Sequence, residues 1–202
     1  MNQLRDAGFN PGKFDTRYTP NSGWARIQGL SVLYESTLGI IGFGEIAREL
    51  ALRAHPFGMK LLVHQRTKLS AEEQREWHIT QVPMDELLAH SDWVCVQVPS
   101  GRETRDLINT AQFARMKPGA KLINVSRAQN VNRDALIAAL RSGRLGGFAL
   151  DPLYEEPGRA DDELLSFNNV ILTPHIAAMP RFNALTDFEE LVAAIGQTLH
   201  KR

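Results

Sequence analysis

The chain has 202 residues, of which 23 are basic and 23 acidic, and a single cysteine. The charge balance gives no electrostatic reason to expect nucleic acid or a membrane surface as partner, Cys95 alone forms no internal disulfide, and no run approaches the ~18 apolar residues of a membrane span. Met1–Asp6 also lacks the apolar core of a signal peptide, so a cytoplasmic protein of one domain, or one domain with an appendage, is expected.

Residues 1–37 are broken by Gly8, Pro11, Gly12, Pro20, Gly23 and Gly29 and keep no long period. They read as an arm, with a short strand over Leu30–Tyr34. From Leu38 the pattern changes. A strand is predicted at Leu38–Ile41, then a helix over Glu45–Ala54 and a strand over Lys60–His64. Helices over Ala71–Glu76 and Asp85–His90 precede a strand at Trp93–Val98. A helix over Thr110–Arg115, a strand over Lys121–Val125 and a helix over Arg133–Ser142 follow, with Asn132 as N-cap and Gly143 as stop. Short strands at Phe148–Leu150 and Val170–Leu172 complete the series.

Strands separated by helices, each strand a near-continuous apolar run, imply an α/β fold with a doubly wound parallel sheet of Rossmann type over residues 38–180. Over 181–202, Phe182, Leu185, Phe188, Leu191, Val192, Ile195 and Leu199 recur at helical spacing, giving one amphipathic helix packed on its own domain or on a partner. Cys95 lies in the apolar run Trp93-Val94-Cys95-Val96 and is expected to be buried and inert.

The stretch Leu38-Gly39-Ile40-Ile41-Gly42-Phe43-Gly44-Glu45-Ile46-Ala47 reads as strand, glycine-rich turn and first helical turn. That order suits a nucleotide pyrophosphate. Gly42 makes the turn, Gly44 lets backbone approach the phosphates, Ala47 lets helix pack on strand, and the helix N-terminus offers unpaired N–H groups to the anion.

The second strand ends in His64-Gln65-Arg66-Thr67-Lys68, with Gln65 standing 21 positions after Gly44. An acidic residue usually bonds the adenosine ribose there. None is present. A missing carboxylate removes a repulsion against a 2′-phosphate, Arg66 can pair with that group, and Thr67 adds a hydroxyl donor. NADP is therefore predicted over NAD, against the alternative that Arg66 and Lys68 are solvated loop charges. No metal site is expected.

Three further strand ends carry polar residues: Asn124-Val125-Ser126-Arg127, Asp151-Pro152-Leu153-Tyr154-Glu155-Glu156-Pro157 and Thr173-Pro174-His175-Ile176-Ala177-Ala178. Singly, each has an ordinary surface explanation. Together they supply a cation, a carboxylate and an imidazole, all following strands of one sheet, where ligands sit in open α/β folds.

With these segments the chain resembles the D-isomer-specific 2-hydroxyacid dehydrogenase family. Besides the glycine turn, the resemblance runs through Gln97-Val98-Pro99, Glu103-Thr104-Arg105-Asp106-Leu107-Ile108-Asn109, Met116-Lys117-Pro118-Gly119-Ala120, Ile123-Asn124-Val125-Ser126-Arg127, Gly147-Phe148-Ala149-Leu150-Asp151 and Thr173-Pro174-His175-Ile176. It implies that Arg127 grips the carboxylate and carbonyl of a small 2-oxoacid. It implies that His175 is the general acid and that Glu156 orients it and favours its charged form. Gly44, Glu45 and Ile46 would line the pyrophosphate. Val98, Pro99 and Thr104 would flank adenosine and ribose. Asp151 would contact the nicotinamide amide, with Val125, Ser126, Ala177 and Ala178 nearby.

The chain departs from the family pattern at Ala128, where glycine is usual, at Asn132, where aspartate is usual, and at Glu45, often basic. Ala128 would be strained if its φ were positive. The 37 residues before Leu38 are also fewer than the family's substrate domain needs. Three readings follow. One is an NADP-dependent reductase of a small 2-oxoacid such as glyoxylate or hydroxypyruvate, its pocket completed by the arm or by a second subunit. Another is a non-catalytic nicotinamide-nucleotide-binding module. The third is a truncated dehydrogenase with residual binding. Apolar surface left without its usual partner domain predicts a homodimer.

Overall fold

A computed structural model describes residues 32–177 and, beyond them, the helical position Val192. The arm up to residue 31, Ala178 and the rest of the helix expected over 181–202 lie outside the described residues.

Strands and helices alternate as β1 (Thr37–Ile41), α1 (Glu45–Ala54), β2 (Lys60–His64), α2 (Ala71–Glu76), β3 (Ile79–Gln81), α3 (Met84–His90), β4 (Trp93–Val96), α4 (Thr110–Arg115), β5 (Ala120–Asn124), α5 (Arg133–Arg141), β6 (Leu145–Leu150) and β7 (Val170–Leu172). The strands form one sheet in the order β3-β2-β1-β4-β5-β6-β7, every pair parallel. This is the Rossmann-type α/β fold.

Each face of the sheet has its own core, which is why the strands read as unbroken apolar runs. Along β4, Cys95 joins Leu38, Ile40, Leu61 and Val63 on one face, covered by α1. Val94 and Val96 join Ile41, Leu122, Phe148 and Leu150 on the other, covered by α3, α4 and α5. The inner stripe of α1 is Ala47, Ala51 and Ala54, all buried, so helix and strand lie close. On the opposite face, a Cβ on Gly39 would come within 2.3 Å of Ser91 Oγ at the end of α3.

Local signals set most boundaries. The Asn132 side chain accepts from Ala135 N at 3.0 Å and starts α5, and Gly143 stops it at φ 70°. Asn109 caps α4 in the same way through Ala111 N.

The structure differs from the sequence reading chiefly in three places, besides end shifts of one or two residues, such as the strand expected over Trp93–Val98 closing at Val96 and that over Lys121–Val125 running Ala120–Asn124. The strand expected over Leu30–Tyr34 is not formed at its described residues. Leu33 instead opens a turn, in which Ser36 N and Oγ both donate to its carbonyl and Glu35 takes φ 59°. Strand β6 begins at Leu145 rather than Phe148. Gly146 lets it pass the Lys117–Ala120 loop, where a Cβ would stand 2.2 Å from Gly119 O. The third difference is β3, a three-residue edge strand that the sequence reading omits.

The strand order reverses direction between β1 and β4. Connections leave their carboxyl ends to opposite sides, and a crevice opens there.

Candidate active site

The crevice is a cleft of about 340 Å³ lined by Ile41, Gly42, Phe43 and Gly44 from β1 and its turn, by His64, Gln65, Arg66 and Thr67 after β2, and by Gln97, Val98, Pro99, Glu103 and Thr104 after β4. The two glycines of the turn do different work. Gly42 has φ 92°, and a Cβ there would meet Val98 Cγ1 at 2.8 Å and the Gln97 carbonyl at 2.9 Å. Gly44 has φ −87°, which any residue adopts, and a Cβ there would meet nothing within 4 Å. Between them Phe43 is buried edge-on against Trp77, so the turn is anchored in the core.

Gly44 is the N-cap of α1 and brings no capping side chain. The first N–H groups of that ten-residue helix therefore face open space beside Gly44, with Glu45 and Ile46 exposed at its start. A pyrophosphate fits this arrangement on two counts, orphan donors and room against bare backbone.

The loop after β2 is held from behind. Gln81 of β3 donates Nε2 to the carbonyls of Gln65 (3.2 Å) and Thr67 (3.0 Å), and its Oε1 accepts from Leu69 N (2.8 Å). Gln65 in turn donates to the Thr67 carbonyl. Arg66 projects into solvent, and its guanidinium pairs with the carboxylate of Glu103 from the loop after β4. On the β4 side, Thr104 Oγ1 donates to the Pro99 carbonyl at 2.7 Å, which fixes that wall.

A second cluster lies on the ends of β5, β6 and β7. His175 Nδ1 stands 2.9 Å from Glu156 Oε1, and both side chains are about half exposed. The Leu153 amide donates to the same oxygen at 3.2 Å, so Glu156 is itself held. The contact commits Nδ1 to the carboxylate and leaves Nε2 for a ligand. His175 sits at φ 57°, a conformation that persists in a non-glycine residue only when its surroundings impose it.

Asp151 imposes it. This carboxylate, 5% exposed, accepts from Thr173 Oγ1 (2.7 Å), Ile176 N (2.9 Å) and Ala177 N (3.1 Å), while its carbonyl accepts from His175 N (2.8 Å). Burial raises the carboxyl's pKa. The bonds from Thr173, Ala177 and Ile176, with the nearby His175 charge, outweigh that and hold it below the ordinary value. Asp151 is thus the clamp of the His175 loop. That role is additional to the nicotinamide contact the resemblance implies.

Arg127 follows β5 and is exposed, its guanidinium donating to the Ser126 carbonyl. The structure brings His175 and Glu156 into contact but gives Arg127 no bond to either. Val125 and Ser126 lie beside Arg127 rather than in the cleft lining. Asn124 Oδ1 accepts from both Ser126 N and Oγ. Buried Asn130 donates Nδ2 to Val98 O (2.9 Å) and Ser126 Oγ (3.0 Å), tying this loop to the cleft wall. Ala128 opens a short 3-10 turn over Ala128–Asn130, and its φ is not positive, so the absent glycine costs nothing there.

Gln81, Glu103 and Asn130 are the site residues that sequence reasoning missed. Gln81 sits in the omitted strand, and the other two reach their partners across the fold. Cys95 is buried as expected, its thiol pushed up to about 11 by burial against a weaker opposing hydrogen bond from Gln97. Among the described residues no metal-binding group forms and no helix is long and apolar enough to cross a membrane.

Residues 13–177 match the family model for the D-isomer specific 2-hydroxyacid dehydrogenase, NAD binding domain, a match that begins ahead of the Leu38 motifs. The glyoxylate reductase of Thermococcus onnurineus is 42% identical over 161 residues, covering 80% of this chain and 47% of that protein. The apo D-mandelate dehydrogenase of Rhodotorula graminis superposes with a TM-score of 0.74 at 34% identity, over 88% of this chain and 50% of the other. A D-isomer specific 2-hydroxyacid dehydrogenase of Xanthobacter autotrophicus Py2, solved in complex with NADPH and MES, gives a TM-score of 0.64 at 33% identity, over 70% of this chain and 44% of the other. The chain spans about half the length of the relatives it matches. It belongs to the D-isomer-specific 2-hydroxyacid dehydrogenase family.

Proposed function

We propose that this family member transfers hydride between NADP(H) and a small 2-oxoacid/2-hydroxyacid pair, with glyoxylate or hydroxypyruvate the expected acids and the cytoplasm the expected setting. The observation that carries the reading is the contact of His175 Nδ1 with Glu156 Oε1 at 2.9 Å. A nucleotide-binding module has no chemical use for a carboxylate-oriented imidazole on a strained loop.

The bound dinucleotide supplies the hydride. The residues of this chain do the rest. Glu156 holds His175 so that Nε2 faces a carbonyl oxygen and protonates it as negative charge develops there; in the oxidative direction Nε2 takes the proton back. Arg127 pairs with the substrate carboxylate and fixes which face of the carbonyl is presented. Gly44 and the first amides of α1 hold the pyrophosphate. Arg66 and the missing carboxylate at the end of β2 favour a 2′-phosphate, as does the NADPH bound by the Xanthobacter relative.

The test is NADPH oxidation followed by absorbance with a panel of small 2-oxoacids, beside His175→Ala. Turnover that the substitution abolishes supports the reading. Because the chain spans about half of its relatives, a nucleotide-binding module without turnover is the second reading, and NADPH binding with no turnover on any acid decides for it. Arg66→Ala tests the cofactor. Unchanged NADPH affinity would overturn the NADP assignment. Exposed Ile46, Leu52 and Phe57 along α1 and just beyond it support the expected homodimer, and light scattering reads it directly.

A further inference from the structure

The end of β2 carries no carboxylate in the sequence, yet the fold brings one to the same place. Glu103, 37 positions beyond Arg66 on the loop after β4, lines the opposite wall of the cleft, and its carboxylate bonds the Arg66 guanidinium across the mouth. Both side chains are largely exposed, at 88% for Arg66 and 76% for Glu103. Nothing else described holds either head group. The pair is a water-exposed contact of low worth that a stronger ligand can exchange.

That geometry has a consequence for the adenosine end of the cofactor. A 2′-phosphate is a dianion that engages Arg66 only by displacing or sharing with Glu103, and it then sits within one screening length of the Glu103 carboxylate. An unphosphorylated ribose carries hydroxyls instead. It leaves the ion pair intact and meets no repulsion.

We propose that Glu103 is a specificity-determining residue of the cofactor site, setting how strongly this chain prefers a 2′-phosphorylated dinucleotide by competing for Arg66. The proposal rests on the reading of Arg66 as the 2′-phosphate ligand. It deepens that reading by making the preference a balance between two side chains on opposite walls. Glu103 does for this chain, with opposite timing, what an acidic residue at the end of β2 does elsewhere. It restrains NADP before binding and is released from Arg66 when the phosphate arrives.

The experiment is a double-mutant cycle on binding. NADPH and NADH dissociation constants are measured by calorimetry for the parent, Glu103→Gln, Arg66→Ala and the double variant, at about 0.05 M and about 0.5 M salt. Glu103→Gln is expected to tighten NADPH by about threefold to tenfold and to move NADH by less than about twofold, with the gain largely lost at the higher salt. In the Arg66→Ala background the same change is expected to give no comparable gain. Unchanged NADPH affinity in Glu103→Gln, while Arg66→Ala still weakens it, overturns this proposal and leaves the NADP reading standing. An equal gain for NADH, or an equal gain without Arg66, overturns it too, because Glu103 would then act as a general negative charge. Loss of nothing in Arg66→Ala overturns the NADP reading itself. Circular dichroism of each variant confirms that the fold is retained.

Discussion

The two glycines of the turn offer a clean separation of folding from binding. Gly42→Ala places a Cβ 2.9 Å from the Gln97 carbonyl and 2.8 Å from Val98 Cγ1. The Val98 tip can swing, but the carbonyl cannot. The backbone is pinned on both sides, by Gly42 N to His64 O and by Gln97 N to Ile41 O, each at 2.8 Å. The residue also sits at φ 92°. A left-handed conformation costs an L-residue about 1–2 kcal/mol and an overpacked contact about 1–3 kcal/mol more, so the loss is about 2–5 kcal/mol. At about 2–4 °C per kcal/mol for a domain of this size, Tm falls by roughly 4–20 °C.

Gly44→Ala is the opposite case. Its φ of −87° suits alanine and its Cβ meets nothing within 4 Å. Alanine is a poorer N-cap than glycine, but it also gives up less chain entropy on folding, and the two effects offset within about 1 kcal/mol. The methyl does occupy the space in front of the α1 amides. NADPH affinity is expected to fall at least about tenfold while Tm moves by no more than about 3 °C. Thermal unfolding of the ligand-free variants and calorimetric titration measure both quantities. Parental affinity in Gly44→Ala, or a Tm loss in it as large as in Gly42→Ala, would refute the assignment of the open space to the phosphates.

Asp151 has a lowered pKa, so its stabilisation is full above the unfolded value of about 3.9 and fades as pH drops through the folded one; Asp151→Asn should lose about 1–3 kcal/mol in urea unfolding at pH 7, and the gap to the parent should narrow below about pH 4. Cys95, pushed up to about 11, has roughly one thiolate in a thousand at pH 8, so a disulfide reagent should label it only as fast as the domain unfolds. Asn132 donates Nδ2 to Asp106 Oδ1 at 3.1 Å while its Oδ1 caps α5; Asn132→Asp keeps the cap but sets two carboxylates face to face, and should lower stability by about 1 kcal/mol at neutral pH where the same change at an isolated N-cap is neutral.

That last contact shows what the sequence holds and where it stops. Asn132 is legible as an N-cap because a cap is a local event, settled within three residues. So are the Gly42 turn, the Ala47–Ala51–Ala54 stripe and the alternation of strands with helices, and these deliver the architecture. What the Asn132 amide does is not legible, because the partner it donates to, Asp106, lies 26 positions away. Strand β3 escapes for a different reason. Ile79-Thr80-Gln81 is too short to show a period, and only Ile79 of the three is buried. With it goes Gln81, whose amide fixes the loop that carries Arg66. Strand β6 starts three residues ahead of Phe148 for a reason that is again non-local, since Gly146 serves a close crossing with Gly119 that only the fold reveals.

The His175–Glu156 pair and the cleft at the β1–β4 reversal belong to different strand ends, and the fold has to keep them in register. Gly42, Gly44 and Val98 stand at the β1–β4 reversal; Arg127, Glu156 and His175 stand after β5, β6 and β7. Two polar groups with almost no exposure bridge and brace this arrangement. Asn130 spans Val98 O and Ser126 Oγ, so a shift of the cleft wall is passed to the segment carrying Arg127. Asp151 holds the loop of His175 by side chain and carbonyl together. A buried amide or carboxylate is costly unless its bonds are made, so neither group can let go without losing the stabilisation that offsets its burial. Hydride transfer needs a carbonyl carbon, a proton donor and a bound dinucleotide held to within a fraction of an ångström. In the proposed reaction that precision would rest on Asn130 and on the Asp151 clamp, which act through the segments they hold.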